Sequence, residues 1–391
     1  MRAMGKVCRK RILVSVPQLA YQHRQGLEGV LHYAKECRAA LWELTPETER
    51  LFDPPYLDPN QFDGILAYVD TPESWERILS ANVPTVLHDP LLSLAELKRR
   101  WRPNTTFITH DYREEGRAAA RYFLARHFRN FAYVGVGFPG KFILPWERRQ
   151  AGFIQELERN GFQCRIYPHV ALPGQSMDHV RLAKWLRTLP RSTGVFCVRD
   201  ARALDVLSAA SSINLNVPEH PSVLGFDNDE TLCETSTPQL SSISANLHAF
   251  GLEAARQLDR LLSGHRGEVI VCKPNLQVIT RASTALDAVD DPFVARALSW
   301  MRIHLTEAPN IDSVAEGVGC SIRFLQRRFQ KTLGCSIGDE FRHLKLETAL
   351  SLLETSTKTL TQVADECGFS NASYLCQCIR KATGQTPAQC R

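Results

Sequence analysis

Over the first two thirds of the chain, apolar residues fall into short continuous runs separated by longer stretches with helical spacing. The runs at 11–16, 64–69, 85–88, 132–136, 195–198, 222–226 and 269–271 predict strands. The stretches at 24–37, 113–126, 147–160, 200–211 and 249–262 repeat apolar residues every three or four positions and predict amphipathic helices. Strands and helices in alternation build a parallel sheet with helices on its faces. Residues 1–285 are many for one such sheet, so two lobes are expected.

After Arg281 the texture changes. The stretch "ASTALDAVDDP" is small, acidic and rich in turn formers, and it predicts a linker at 286–292. Residues 293–391 show helical spacing throughout and no strand-like alternation, so an all-α domain is expected there.

That domain contains an internal repeat. "VAEGVGCS" and "VADECGFS" stand 49 residues apart in register, at 314–321 and 363–370, and each leads into a helix followed by a glycine, Gly334 or Gly384. Each unit has helix-turn-helix grammar. Ala315 and Ala364 are small where two helices cross. Gly319 and Gly368 supply a turn that needs positive φ, and Ser321 and Ser370 are placed to cap the next helix.

On the first of these following helices, Ile322, Leu325 and Phe329 share one face and must pack inward. Arg323, Gln326, Arg327 and Gln330 face the other way, with Arg328 and Lys331 at the flanks. Arg donates twice to guanine, Gln pairs with adenine, and flanking cations suit phosphates. On the second helix Ser373, Gln377, Arg380 and Lys381 face outward, a less cationic set. Net charge is only +5, but residues 321–331 carry four cations and no anion. The positive charge is local, as insertion into a groove requires. A charged helix face is commonly just solvated; the duplicated turn is what favours a double-stranded DNA partner.

The tail resembles the AraC-type DNA-binding domain over about 100 residues. Ala315, Gly319, Ser321, Leu325, Arg327, Phe329 and Gly334 match in the first unit, and Ala364, Gly368, Phe369, Ser370, Gly384, Pro387 and Arg391 in the second. The chain departs from the family pattern at Leu375, Ile379, Gln377 and Cys390, which alters the base contacts expected of the second unit. Residues 8–280 resemble LacI-type effector domains, which share the fold of periplasmic sugar-binding proteins. "RQAGF", "VRDARALDVL" and "VLGFDND" carry that likeness. The fold class expected is therefore a two-lobed, periplasmic-binding-protein-like α/β domain followed by an all-α domain with two helix-turn-helix motifs.

A sugar presents paired hydroxyls that donate and accept, so its site needs carboxylates, Arg and Asn held in place, with an aromatic wall for the C–H face. Arg149, Asp200, Asp227 and Asn228 are the candidates for the polar set, and Trp146 or Phe138 for the wall. They fall at predicted strand carboxyl ends, where open α/β sheets bind ligands. Asp200 has a plainer alternative as a helix cap, and the others as ion-pair partners. The resemblance implies a small sugar effector, D-xylose in the first instance or another pentose or hexose. It also implies a homodimer, an operator as DNA target, and RNA polymerase as a partner if the regulator activates.

Other functions fare worse. The chain lacks a nucleophile elbow, a Walker loop and a metal-spaced His cluster, so no catalytic residues, metal or cofactor are expected. A sugar-processing enzyme with a regulatory tail is the alternative. The basic start followed by apolar residues 12–16 reads as a first strand and not as a leader, which argues against a transport binding protein and for a cytoplasmic one. The 12 cysteines are scattered and expected as thiols. Cys376 and Cys378, two apart on a helix, point about 200° from one another and cannot share a metal.

Overall fold

The computed structural model describes residues 10–15, 21–36, 42–47, 58–68, 76, 78–88, 92–136, 144–168, 177–289, 291–307, 310–356, 358–383 and 386–388. Phe138, Gly384, Cys390 and Arg391 lie outside them.

Two six-stranded sheets form the first two thirds. The first contains β1 (Lys10–Ser15), β2 (Trp42–Glu47), β3 (Gly64–Tyr68), β4 (Thr85–His88), β5 (Thr105–His110) and β11 (Val269–Cys272), in the order β11-β5-β4-β3-β1-β2. The second contains β6 (Asn130–Val134), β7 (Cys164–Ile166), β8 (Thr193–Cys197), β9 (Ser222–Phe226), β10 (Ser241–Ser244) and β12 (Gln277–Ile279), in the order β12-β10-β9-β8-β6-β7. All pairs are parallel except β10 with β12. The chain passes between the sheets after β5, after β10 and between β11 and β12, so three crossings join two lobes.

Helices α1 (Tyr21–Glu36), α2 (Leu94–Arg100) and α8 (Leu247–Leu262) belong to the first lobe. The second has α3 (Tyr112–Leu124), α4 (Leu144–Arg159), α5 (His179–Leu186), α6 (Asp200–Ser212) and α7 (Glu230–Thr235). Each sheet buries apolar side chains on both faces, in separate clusters. This is why β3, β6 and β8 read as continuous apolar runs.

The expected strands form, and so do the expected helices, with ends shifted by a few residues. Five strands were not expected: β2, β5, β7, β10 and β12. Hydroxyl residues make up half of β5 (TTFITH) and most of β10 (SSIS), yet Thr105, Thr106, Thr109, Ser241 and Ser242 are at most 2% exposed. Hydroxyls in these strands bond the backbone or neighbouring side chains, as when Ser241 Oγ donates to the Arg281 carbonyl at 3.0 Å. Satisfied hydroxyls are tolerated inside a sheet, and they hide the strand from a reading based on apolar runs.

The remainder is helical: α9 (Pro292–Ile303), α10 (Ile311–Val318), α11 (Ile322–Leu333), α12 (Ile337–Thr355), α13 (Leu360–Glu366) and α14 (Ala372–Thr383). α10–α11 and α13–α14 are the two helix-turn-helix units, with φ of 73° at Gly319 and 65° at Gly368 in their turns. Separate cores underlie them. Leu325 and Phe329 anchor the first, Leu375 and Ile379 the second, all with no exposed surface. Ser321 caps α11 by accepting from the Phe324 N–H, as expected. Ser370 does not cap α14. Asn371, one residue later, accepts from the Tyr374 N–H instead, because this helix starts one residue further along.

The segment expected as a linker makes contacts of its own where it is described: the Asp287 side chain is wholly buried in an ion pair with Arg302. Pro292, at the end of that segment, lies in the first turn of α9, whose cap is Asp291.

Candidate functional site

The described candidate ligand residues gather near the carboxyl ends of the strands of the second lobe. Asp227 and Asn228 follow β9 directly. Both hold positive φ, 106° and 50°. Left-handed backbone at two successive residues other than glycine costs roughly 1–3 kcal/mol apiece and is a feature of binding and active sites. Asp227 is partly buried, and among the described residues none donates a hydrogen bond to its carboxylate. Burial pushes its pKa well above the ordinary carboxylate range, against the pull of Arg149 and Arg199.

Arg149 lies underneath. It is 5% exposed, pairs with Glu115 at 2.7 Å, donates to the Val198 carbonyl and stacks 3.6 Å over the Phe226 ring. Burial works against its charge, but Glu115 and Asp227 outweigh it and its pKa ends above normal. The "RQAGF" stretch has a structural reason too. A Cβ on Gly152 would come 2.0 Å from the Arg113 carbonyl oxygen, and one on Gly116 would come 1.9 Å from that of Arg149. Helices α3 and α4 therefore touch backbone to backbone, and the glycines permit the contact that brings Glu115 to Arg149.

Asp200 and Asn228, like Arg149, have partners within the protein. Asp200 is 1% exposed; its carboxylate accepts from Ser242 Oγ at 2.5 Å and from the Asp229 N–H at 2.8 Å. It does not cap α6, where it occupies the first helical position and no side-chain cap bond is made. It ties α6 to the ends of β9 and β10, and a Cβ on Gly225 would come 2.2 Å from its Oδ1. Burial, partly offset by Ser242 and the Asp229 N–H, lifts its pKa to about 6. Asn228 is 8% exposed and accepts from Arg281 at 3.0 Å, so its amide is turned into the structure. Both therefore have polar partners within the second lobe, on either side of Asp227.

Trp146, at the start of α4, is partly buried, with the Arg199 guanidinium 5.7 Å over its ring. Phe138, the other candidate for the wall, is not among the described residues. Arg199 was not expected. It ends the β8 turn, faces Asp227 electrostatically, and burial lowers its pKa. The first lobe carries polar and aromatic side chains at its own strand ends. Tyr68, His88 and His110 end β3, β4 and β5. Tyr68 lies 5.5 Å from His88, and Phe250 of α8 stacks on His110 at 3.9 Å. Burial holds His110 neutral, with a pKa of about 4. Strand-end position alone could have flagged these three, by the rule that pointed to Asp227.

The second candidate surface lies on the helix-turn-helix units. Arg323, Gln326, Arg327 and Lys331 are exposed on α11, and Ser373, Gln377, Arg380 and Lys381 on α14. Arg328 and Gln330, also expected to contact DNA, have partners within the domain. Arg328 pairs with Asp291 at 2.5 Å, and the Gln330 amide donates to the Gly334 carbonyl at 3.2 Å, closing the end of its own helix. Cys367 is fully buried, and Cys378 packs on the second core, so both act as small apolar side chains. Among the described residues no group of His, Cys, Asp and Glu is placed to hold a metal, and no helix is long and apolar enough to cross a membrane.

Known proteins resemble both parts. A periplasmic binding protein-like domain model matches residues 120–284, and a helix-turn-helix domain model matches 314–391. The xylose operon regulatory protein of Escherichia coli K12 is 28% identical over 372 residues, covering 94% of this chain and 93% of that one. Its counterpart from Haemophilus influenzae is 26% identical, covering 94% of each. A solved structure of a xylose-binding transcription activator superposes with a TM-score of 0.61 at 28% identity, covering 98% of this chain and 97% of that one. The chain is therefore a transcription regulator and not an enzyme, with a periplasmic-binding-protein-like domain ahead of an AraC-type helix-turn-helix domain, and it is similar over nearly all its length to the xylose operon regulatory proteins.

Proposed function

We propose that residues 1–285 sense a small sugar in the interlobe cleft, that residues 293–391 read operator DNA, and that 286–292 join the two. The observation that carries the sensor half is Asp227: a carboxylate without a hydrogen-bond donor among the described residues, on strained backbone at a strand end, beside the charges of Arg149 and Arg199, with Trp146 against Arg199. An acceptor, two guanidinium groups and an aromatic face are what paired hydroxyls and a pyranose C–H face call for. The relatives are regulators of a xylose operon, which makes D-xylose the first sugar to test.

Two helix-turn-helix units in one chain suit two successive major grooves of one half-site, so a homodimer would span a longer operator. The relative of solved structure is a transcription activator, which supports activation here, with RNA polymerase as partner. A regulator of this kind works in the cytoplasm. Sugar preferring one lobe closure would shift the arrangement of the DNA readers. Fluorescence anisotropy with a labelled duplex from the promoter region nearest the gene, with and without D-xylose, tests this. At least a fivefold change in affinity is expected; identical affinities at saturating sugar contradict it.

A further inference from the structure

Helix α3 connects the two candidate sites, and we propose that it is the coupling element between them, gripping the DNA reader through His127 and the Arg302–Asp287 cluster. This rests on the sensor reading above. At its cleft end α3 begins immediately after β5, capped by Asp111, at the first crossing between lobes. One turn in, Glu115 holds Arg149. Gly116 and Gly152 bring the backbones of α3 and α4 into direct contact, which leaves no slack for the two helices to slide independently.

The opposite end of α3 meets the reader. The Ala125 carbonyl accepts from Arg302 of α9 at 3.2 Å. Arg302 also pairs with Asp287 at 2.9 Å and with Glu347 of α12 at 3.7 Å, so one guanidinium ties sensor, connecting segment and reader together. Arg126 lies 4.0 Å from the same Asp287. His127, at φ 63°, turns the chain and places its Nε2 3.0 Å from Glu340 of α12. Glu340 is 5% exposed, so this contact is inside the interface.

From there the packing runs to the recognition helix. α9 and α11 share one core that includes Val294, Leu298, Leu325 and Phe329. The Phe293 and Phe324 rings meet at 4.9 Å, and Asp291 pairs with Arg328. This gives the otherwise unexpected engagement of Arg328 a role: it fixes α11 to the helix that the sensor holds. A movement of α4 on ligand closure is thus delivered through α3 to α9 and α12, and by α9 to α11.

Hydrogen–deuterium exchange on the full chain, without sugar or DNA, tests the rigid connection. Cutting the grip with His127→Ala, and separately with Glu340→Gln, should raise exchange at least threefold at 112–116 and 148–152, the remote end of α3 and its contact on α4. Increases confined to 125–128 and 337–342 would show a local contact only and overturn the proposal. His127 is the milder site, and Glu340→Gln keeps the side chain's shape, so a folding failure in one leaves the other to decide. In DNA titrations, D-xylose should alter the affinity of the parent chain but change that of His127→Ala less than twofold. Retention of the full response in the variant would also overturn the proposal. A parent that ignores D-xylose defeats the sugar reading, and the exchange result then decides the coupling alone.

Discussion

Glu115 and Arg149 lie 2.7 Å apart, oxygen to nitrogen, and both are nearly devoid of solvent contact. A buried charge left without its partner is costly, about 3–5 kcal/mol, whereas replacing both members with apolar groups is much milder. Glu115→Gln should therefore destabilise the sensor by about 3 kcal/mol in urea unfolding. Adding Arg149→Met should restore at least half of that loss. Strictly additive losses would mean that the pair is not coupled as its geometry requires.

Gly152→Ala should be as damaging as many larger changes. Its Cβ would press on the Arg113 carbonyl, a backbone atom unable to swing aside. Overpacking of this kind costs about 1–3 kcal/mol. Gly161→Ala is the control: nothing lies within 4 Å there, and the penalty comes only from its φ of 80°. Thermal unfolding of the two variants separates the close-packing cost from the backbone cost.

His110 gives the sensor a pH dependence with a definite sign. Its pKa in the folded chain is about 4, below the ordinary 6.5. The unfolded chain thus binds the proton more readily between those values, and stability falls as pH drops from about 6.5 towards 4. At about 1.4 kcal/mol per pH unit, the full loss is of the order of 3 kcal/mol. Asp200, raised to about 6, acts oppositely: its contribution is fullest below its ordinary 3.8 and is lost as pH rises through 6. His110→Phe, which keeps a ring against Phe250, should flatten the acid side of the stability profile measured by urea denaturation. An unchanged acid slope would show that His110 is not its source.

On the DNA side, Arg323→Ala should cost about 1–3 kcal/mol of operator affinity and relax preference at one base position. Lys331→Ala should weaken binding to all sequences alike and reduce the salt slope by about 1. Arg328→Ala should instead lower reader stability, since its ion pair to Asp291 lies within the domain. Anisotropy over a salt series, run beside thermal unfolding, distinguishes these three behaviours.

Much of this was legible in the residues. The strand–helix alternation, the repeat at 49-residue spacing and the inward face of Leu325 and Phe329 follow from periodicity, which the two architectures obey closely. The turn glycines could be read because a left-handed position needs them. Three things could not be read. β5 and β10 are sealed with Thr and Ser hydroxyls, which look like surface until their partners are known. Asp200 and Asn228 sit where a ligand residue would sit, yet Ser242 and Arg281, both distant in sequence, claim their polar atoms. Arg199 lies within "VRDARALDVL" without being singled out by it, and Tyr68, His88 and His110 match no motif; only the strand boundaries show that these three stand at carboxyl ends.

The claim on which the rest depends is that the cleft holds a sugar through Asp227. Isothermal titration calorimetry of the full chain against D-xylose, followed by other pentoses and hexoses, measures it directly. The account predicts saturable binding of at least one of these sugars at one site per chain, weakened at least tenfold in a folded Asp227→Ala variant. Absence of binding by every sugar, or equal binding by that variant, would contradict it.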